Sequence, residues 1–201
     1  MTKFILKGKY KSEDELPQRE HEEGAVAFKE PESMLKLSII ANGIAVLLFI
    51  PLFAIMLARY TPKYMFYDCG AYSLAAVIMS LLSMFVHEYI HGIFMPGEVY
   101  MYDNLKMGLL FVTTKENMSK WQFIIMSFMP TLILGVIPFV LSFVINGKIA
   151  VFLRYFGIIN FVSGSGDFIN IFNSLTQMPK GSYTYLYGTK SFWFMPKGEN
   201  K

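Results

Sequence analysis

Two histidines and a glutamate form the motif H-E-x-x-H at His87, Glu88 and His91, inside the apolar run SLLSMFVHEYIHGIFM. Residues four apart share one face of a helix, so both histidines can bind one Zn²⁺ while the glutamate reaches the water on that metal. Zinc lowers the pKa of such a water to about 7, and the carboxylate can take its proton and pass it to a leaving amine. The motif therefore predicts one Zn²⁺ per chain and hydrolysis with Glu88 as the catalytic residue.

The composition indicates a membrane protein. Of the 201 residues, 54% are hydrophobic and 16% are charged, which is too apolar for an ordinary soluble domain. Four stretches reach the length of about 20 residues that crosses a bilayer. They are 34–58, 71–95, 121–146 and 149–175. The predicted fold class is mainly α: a polytopic membrane protein with about four transmembrane helices, plus small cytoplasmic β-hairpin elements after the second and fourth helices.

Charge and hydropathy divide the chain into three predicted regions. Residues 1–33 form a charged N-terminal arm, 34–175 a four-helix membrane domain that holds the motif, and 176–201 a hairpin-like tail. Lys and Arg are concentrated in the arm and the start of the first span, the 96–120 connection and the tail, which together hold fourteen of the eighteen. Because such charges are retained on the cytoplasmic side, both termini and the connection are predicted to be cytoplasmic.

The four remaining cations, Arg59, Lys63, Lys148 and Arg154, fall near the opposite ends of the spans. Arg154 lies within the fourth span, and we expect its side chain to extend toward the lipid headgroups. The lipid bilayer is therefore a predicted partner of this chain. No patch of interleaved basic and aromatic residues indicates nucleic acid binding.

Depth in the membrane predicts a third metal ligand. His87 lies about 24 Å along its span, counted from the outer end, and Asp167 lies about 27 Å along the fourth span. Glu88 and Asp167 are the two carboxylates in the four spans, where an isolated carboxylate is costly unless it meets a cation. Asp167 is therefore predicted to complete a zinc site with His87 and His91, which leaves the fourth position to water. Glu98 and His21 are alternative third ligands that the depth argument does not connect to the site.

The segment around Asp167 reads NFVSGSGDFIN. Gly164 and Gly166 are expected to loosen the helix and to allow a close approach of another segment. Asn160 and Asn170 are candidate polar neighbours that either hydrogen-bond a substrate carbonyl, fix Asp167, or simply pack helices together.

The connection after the second span predicts a β-hairpin. Residues 99–102 and 106–112 are rich in β-branched, aromatic and large apolar residues, and Asp103-Asn104 between them suggests the turn. An exposed strand edge there would either pair with an extended substrate segment or lie on the membrane surface.

Three further features complete the prediction. The tail alternates polar and aromatic residues at 182–187 and 191–194, which indicates a second hairpin, and the arm is expected to hold one strand at 4–10. Pro130 and Pro138 are expected to kink the third span.

The motifs HEYIHG, SGSGD and MPKG occur in an order that resembles the bacterial membrane family described as "putative zincin peptidases", over roughly residues 36–185. The chain is also similar, more distantly, to the site-two protease type of intramembrane zinc metalloproteases. The resemblance implies that His87, His91 and Asp167 bind the metal, that Glu88 is the catalytic glutamate, and that the protein resides in the bacterial plasma membrane.

The main hypothesis is a zinc-dependent, membrane-embedded peptidase that cuts a membrane protein or peptide in or near the cytoplasmic leaflet. The alternative is a non-catalytic membrane scaffold or metal-binding sensor that retains the motif. An ion transporter is disfavoured because the polar groups cluster at one depth. Two histidines and a carboxylate also suit Fe²⁺, Co²⁺ or Mn²⁺, and no feature of the sequence indicates an oligomeric state.

Overall fold

The computed structural model describes residues 2–31, 33–64, 70–104 and 109–196, which are mainly helical. The helices are α1 (Met34–Arg59), α2 (Gly70–Phe94), α3 (Lys120–Pro130), α4 (Ile137–Val144), α5 (Lys148–Ser163) and α6 (Ser165–Gln177). The strands are β1 (Lys3–Lys9), β2 (Val26–Ala27), β3 (Glu98–Asn104), β4 (Leu109–Thr114), β5 (Met118–Ser119), β6 (Tyr183–Tyr187) and β7 (Lys190–Phe194). A π-helical segment, Thr131–Val136, joins α3 to α4.

Three helical stretches are long and apolar enough to cross a membrane: Leu35–Arg59, Gly70–Phe94 and Lys120–Val144. Helices α5 and α6 are bent by 48° at a break and can be counted together as a fourth span. By length and composition, the described residues thus agree with the predicted mainly helical chain of about four apolar spans. The break falls at Gly164, where the sequence predicted that the helix loosens.

The third span changes its hydrogen bonding between its two prolines. The π-helical segment begins directly after Pro130, and Pro138 stands in the first turn of α4. Neither proline has an N–H to donate to the preceding turn, which explains why regular α-helix is interrupted here.

The described chain divides into two compact units. The helical unit comprises Pro31–His87 and Met129–Phe168, and the sheet unit comprises Met1–Glu30, Glu88–Phe128 and Ile169–Lys201. The division passes through α2, α3 and α6, so these helices contribute to both units.

In the helical unit, glycines allow α5 to approach its neighbours closely. A Cβ added to Gly157 would lie 2.6 Å from the backbone nitrogen of Phe139 in α4. A Cβ on Gly135, in the π-helical segment, would lie 2.9 Å from the backbone of Phe161 in α5. Such distances exclude any side chain, so close helix packing depends on these two glycines.

Arg154 is buried within the helical unit, with 1% of its surface exposed. Its guanidinium donates to the Ser142 carbonyl at 2.7 Å and lies 4.3 Å from the ring centre of Tyr60 and 5.1 Å from that of Phe143. The prediction that this side chain extends to the headgroups is wrong. A carbonyl at the end of α4 and two aromatic faces provide the stabilisation that water or headgroups would otherwise supply.

The sheet unit contains two small sheets with strand orders β1-β3-β4 and β2-β7-β6-β5. Strand β1 pairs in parallel with β3, whereas β3 with β4 and β6 with β7 are antiparallel pairs. The predicted strand at 4–10 and the predicted tail hairpin are thus confirmed, with small shifts of their bounds.

The predicted turn at Asp103-Asn104 is wrong, because both residues belong to β3. They pair with Leu110 and Leu109 of β4. The Asn104 side chain donates to the Tyr10 carbonyl at 3.0 Å. This bond joins the end of β3 to the N-terminal arm and stabilises the strand there. The predicted hairpin itself is present as β3 and β4, and residues 105–108, which include the start of the predicted second strand, lie outside the described residues.

The N-terminal arm is part of the sheet unit. Leu16 is 4% exposed and packs with Tyr100 and Tyr102 of β3. Arg19 forms an ion pair with Glu22 at 2.6 Å and lies 4.0 Å from the ring centre of Tyr185, its guanidinium facing that ring. These contacts give an arm that is rich in charge a fixed place against β3 and β6.

Candidate metal centre

Helix α2 carries the H-E-x-x-H motif near its C-terminal end. The helix ends at Phe94 because Pro96 follows and Gly97 adopts a φ of 68°, which favours glycine. His87, Glu88 and His91 each offer a ligand atom, and these atoms lie within 4.8 Å of one another. Across the described ranges, this is the one group of three or more His, Cys, Asp or Glu side chains gathered closely enough to hold a metal ion.

His91 is held by a backbone carbonyl. Its Nδ1 lies 2.9 Å from the oxygen of Met126, and the side chain is buried. Because a carbonyl oxygen only accepts, Nδ1 carries a proton, and Nε2 is the ring nitrogen that a neutral His91 would offer to a metal. This is the tautomer and the type of partner that metal-binding histidines require.

A glycine beside His91 allows the arm to pack on the motif. A Cβ on Gly92 would lie 2.3 Å from the ring of Phe4 in β1. The same ring stacks on Tyr89, with the ring centres 4.6 Å apart. The contribution of Phe4 was missed by the sequence analysis, since its single signal was the glycine that ends HEYIHG.

Asp167 lies beside His87. Its Oδ2 is 3.1 Å from Nε2 of the histidine, and about an eighth of each side chain is exposed, 12% for the aspartate and 15% for the histidine. The aspartate stands in the first turn of α6, where the helix dipole favours a negative charge. The structure therefore brings together the two residues that the depth argument paired.

The spacing of this pair fits a metal site. With zinc–ligand bonds of about 2.0–2.1 Å, two neighbouring ligand atoms in a tetrahedral site stand about 3.3 Å apart. The observed 3.1 Å is close to this value. A nitrogen lone pair and a carboxylate oxygen in contact also need a proton or a cation between them, so the donor set fits zinc chemically.

The two alternative ligands make other contacts in the sheet unit. Nδ1 of His21 lies 2.9 Å from the Tyr185 hydroxyl, and its ring stacks on Tyr187 at 4.1 Å. Glu98 accepts hydrogen bonds from Lys3 at 2.9 Å and from Tyr100 at 2.8 Å. The Lys3 ammonium holds the pKa of Glu98 below its ordinary value. Neither residue belongs to the group on α2.

Asn160 connects two helices. Its carboxamide oxygen accepts from the Ser83 hydroxyl at 2.8 Å, and its nitrogen donates to Ser80 at 3.3 Å and to the Phe156 carbonyl at 2.9 Å. Only 4% of the residue is exposed. These bonds favour the helix-packing role among those considered for Asn160.

Asn170 lies three residues after Asp167, on the same side of α6. It is half-buried, and its carbonyl accepts from the Ser174 hydroxyl at 2.8 Å. Its role toward a substrate stays a prediction.

The structure thus places Asp167, which follows the helix break at Gly164, beside the first histidine of the H-E-x-x-H motif in an apolar, mainly helical chain. Residues 80–183 match the family described as "Putative zincin peptidase". The match covers more than half of the 201 residues, and the chain belongs to this family. It includes the H-E-x-x-H motif, Asp167 and the start of β6. No curated protein and no solved structure matches the chain.

Proposed function

We propose that this protein is a zinc-dependent peptidase, embedded in a membrane, that hydrolyses a peptide bond in or near the cytoplasmic leaflet. The observation that carries the proposal is the contact of 3.1 Å between Asp167 and the first histidine of an H-E-x-x-H motif on a helix of membrane-spanning length. Family membership supports zinc and peptidase chemistry.

In this proposal His87, His91 and Asp167 hold the metal ion. The carbonyl of Met126 fixes the ring of His91, and the first turn of α6 stabilises the charge of Asp167. Zinc, when bound, supplies the charge that acidifies a water molecule and polarises a carbonyl group.

Glu88 is the proposed general base. It follows His87 directly, and its carboxylate belongs to the close group on α2. The carboxylate takes a proton from the attacking water and later delivers it to the amine of the departing peptide. A carboxylate beside two metal-binding histidines supports hydrolysis over mere metal storage, because storage needs no proton carrier.

The proposed substrate is a membrane protein or peptide that is held in an extended form. Strand β1 or β4 would hold it, because each has one hydrogen-bonded neighbour within its sheet among the described residues. The other edge of such a strand can pair with an incoming peptide through backbone hydrogen bonds. The aromatic contact of Phe4 in β1 with Tyr89 supports β1 as the nearer edge to the motif.

Zinc content of the detergent-purified full chain tests the proposal. We expect about one zinc per wild-type chain, none in His87→Ala, and full occupancy in His21→Ala, which removes the one histidine outside the motif. Glu88→Gln should keep the metal and lower cleavage of a fluorogenic peptide library in proteoliposomes by about 10²–10⁴-fold, while Glu98→Gln should not. A wild-type chain without zinc after purification in chelator-free buffer contradicts the proposal and favours a scaffold.

A further inference from the structure

The hydroxyl of Thr131 is buried without a hydrogen bond. Only 1% of the residue is exposed, and Oγ1 has no partner among the described residues. Several other hydroxyls in these helices donate to the carbonyl four residues earlier, as Ser80, Ser174 and Thr176 do, whereas Ser127 on α3 is also buried without a bond. Since an unsatisfied buried hydroxyl destabilises the fold, Thr131 calls for a functional explanation.

The surroundings of Gly164 place this hydroxyl near Asp167. A Cβ added to Gly164 would lie 2.2 Å from Oγ1 of Thr131 and 3.5 Å from Oδ2 of Asp167. The two oxygens are therefore separated by no more than about two O–H···O hydrogen bonds in series, of about 2.8 Å each. A hydroxyl and a carboxylate at such a separation can be joined through one water molecule.

The backbone around Thr131 is also unusual. Thr131 is the first residue of the π-helical segment and directly follows the fully buried Pro130. Single π-helical turns inside α-helices occur frequently at functional sites. Here the segment begins at the residue whose hydroxyl contacts the break between α5 and α6, and that break sets the start of the helix that carries Asp167.

We propose that Thr131 is a positioning residue for Asp167. Its hydroxyl donates to a bridging water, and that water donates to the carboxylate, which fixes the carboxylate oxygen that faces the metal. The inference rests on the proposed zinc site. It assigns to Thr131 the role that hydrogen-bonding partners of metal ligands have in other sites, where their loss weakens metal binding by about 10–100-fold.

The test compares Thr131→Val with Thr131→Ser in the detergent-purified full chain. The valine variant keeps the shape and loses the hydroxyl, so we expect its zinc affinity, measured by competition with a chelating dye, to fall by about 10–100-fold. The serine variant keeps the hydroxyl and should bind zinc as the wild type does. Thr176→Val is the matched control on α6, since its hydroxyl bonds to the Phe172 carbonyl, and its zinc affinity should not change.

The melting temperature of the metal-free variants separates positioning from packing. Removing a hydroxyl that bonds to no other protein group should leave the melting temperature of metal-free Thr131→Val equal to or above that of the wild type. Unchanged zinc affinity in Thr131→Val overturns the inference while the zinc site stands, and so does an equal loss in the valine and serine variants. A wild-type chain that binds no zinc overturns the proposed function itself.

Discussion

The helical unit buries two ionisable side chains in different ways. Arg154 is stabilised by groups of the fold: a carbonyl accepts from its guanidinium, and two aromatic ring centres lie 4.3 and 5.1 Å from it, although its Nε has no partner among the described residues. Asp167 instead lies against a histidine nitrogen, near an unpaired threonine hydroxyl. Arg154 thus contacts groups that cannot bind a metal ion, whereas Asp167 contacts a side chain of the group that can.

The largest expected effect tests that contrast directly. Asp167→Asn should lower the zinc content from about one per chain to less than a tenth, because a neutral amide is a poor ligand for zinc. Arg154→Met should leave the zinc content unchanged and lower the free energy of unfolding by about 1–3 kcal/mol, through loss of the bond to Ser142 and of the aromatic contacts. Metal analysis measures the zinc content of both variants, and denaturant unfolding measures their free energy of unfolding. Loss of zinc in Arg154→Met would contradict the assignment of this arginine to the fold alone.

An intermediate effect is expected at Asn160, whose side chain bonds to two serines of α2 and to a carbonyl of its own helix. Asn160→Ala should lower the free energy of unfolding by about 1–3 kcal/mol because it leaves the partners without their bonds. The zinc content, and the KM of the proposed peptidase reaction, should stay at wild-type values. A raised KM with unchanged stability would place Asn160 with the substrate-binding residues, as one of the sequence hypotheses had it.

The smallest effect concerns Glu30, a half-buried carboxylate in the sheet unit that lies outside the group on α2. Burial raises its pKa, although the Ser191 N–H and Lys190 oppose that change. An acid with a raised pKa in the folded state adds stability at low pH, and this contribution is lost as the pH rises through the folded pKa. Glu30→Gln should therefore raise the melting temperature at neutral pH and flatten its dependence on pH. A Glu30→Gln variant with a melting temperature below that of the wild type at neutral pH would contradict the prediction.

The sequence predicted the proximity of His87 and Asp167 better than the surroundings of these residues. Spacing within one helix places the two histidines, and the shortage of carboxylates in the spans selects Asp167, so both rest on local patterns that physical rules connect. The position of Arg154 could not be predicted, because its partners are Tyr60, which follows α1, and Ser142 and Phe143 on α4. Thr131 carried no signal, since an unpaired hydroxyl is recognised only when its neighbours are known.

The errors in the sheet unit have a similar cause. Local propensity favours a turn at Asp103-Asn104. The Asn104 side chain, however, donates to the carbonyl of Tyr10, 94 residues earlier in the chain, and this bond stabilises the strand through Asn104. Likewise, alternation of residue types identified β1 as a strand, while its parallel partner β3 follows two long helices. Pairing between such distant segments depends on the tertiary fold and not on the local sequence.

The pairing of β1 with β3 also restricts how the chain can enter a bilayer. These strands precede α1 and follow α2, and hydrogen-bonded strands must share one side of any membrane that the helices cross. The polypeptide between them must therefore cross an even number of times. The same parity applies between β5 and β6, which enclose α3 to α6. During synthesis β1 is made before α1 and α2, and β3 is made after them. The pairing of β1 with β3 can therefore form only after both helices are made, and only if the two strands lie on the same side of the membrane.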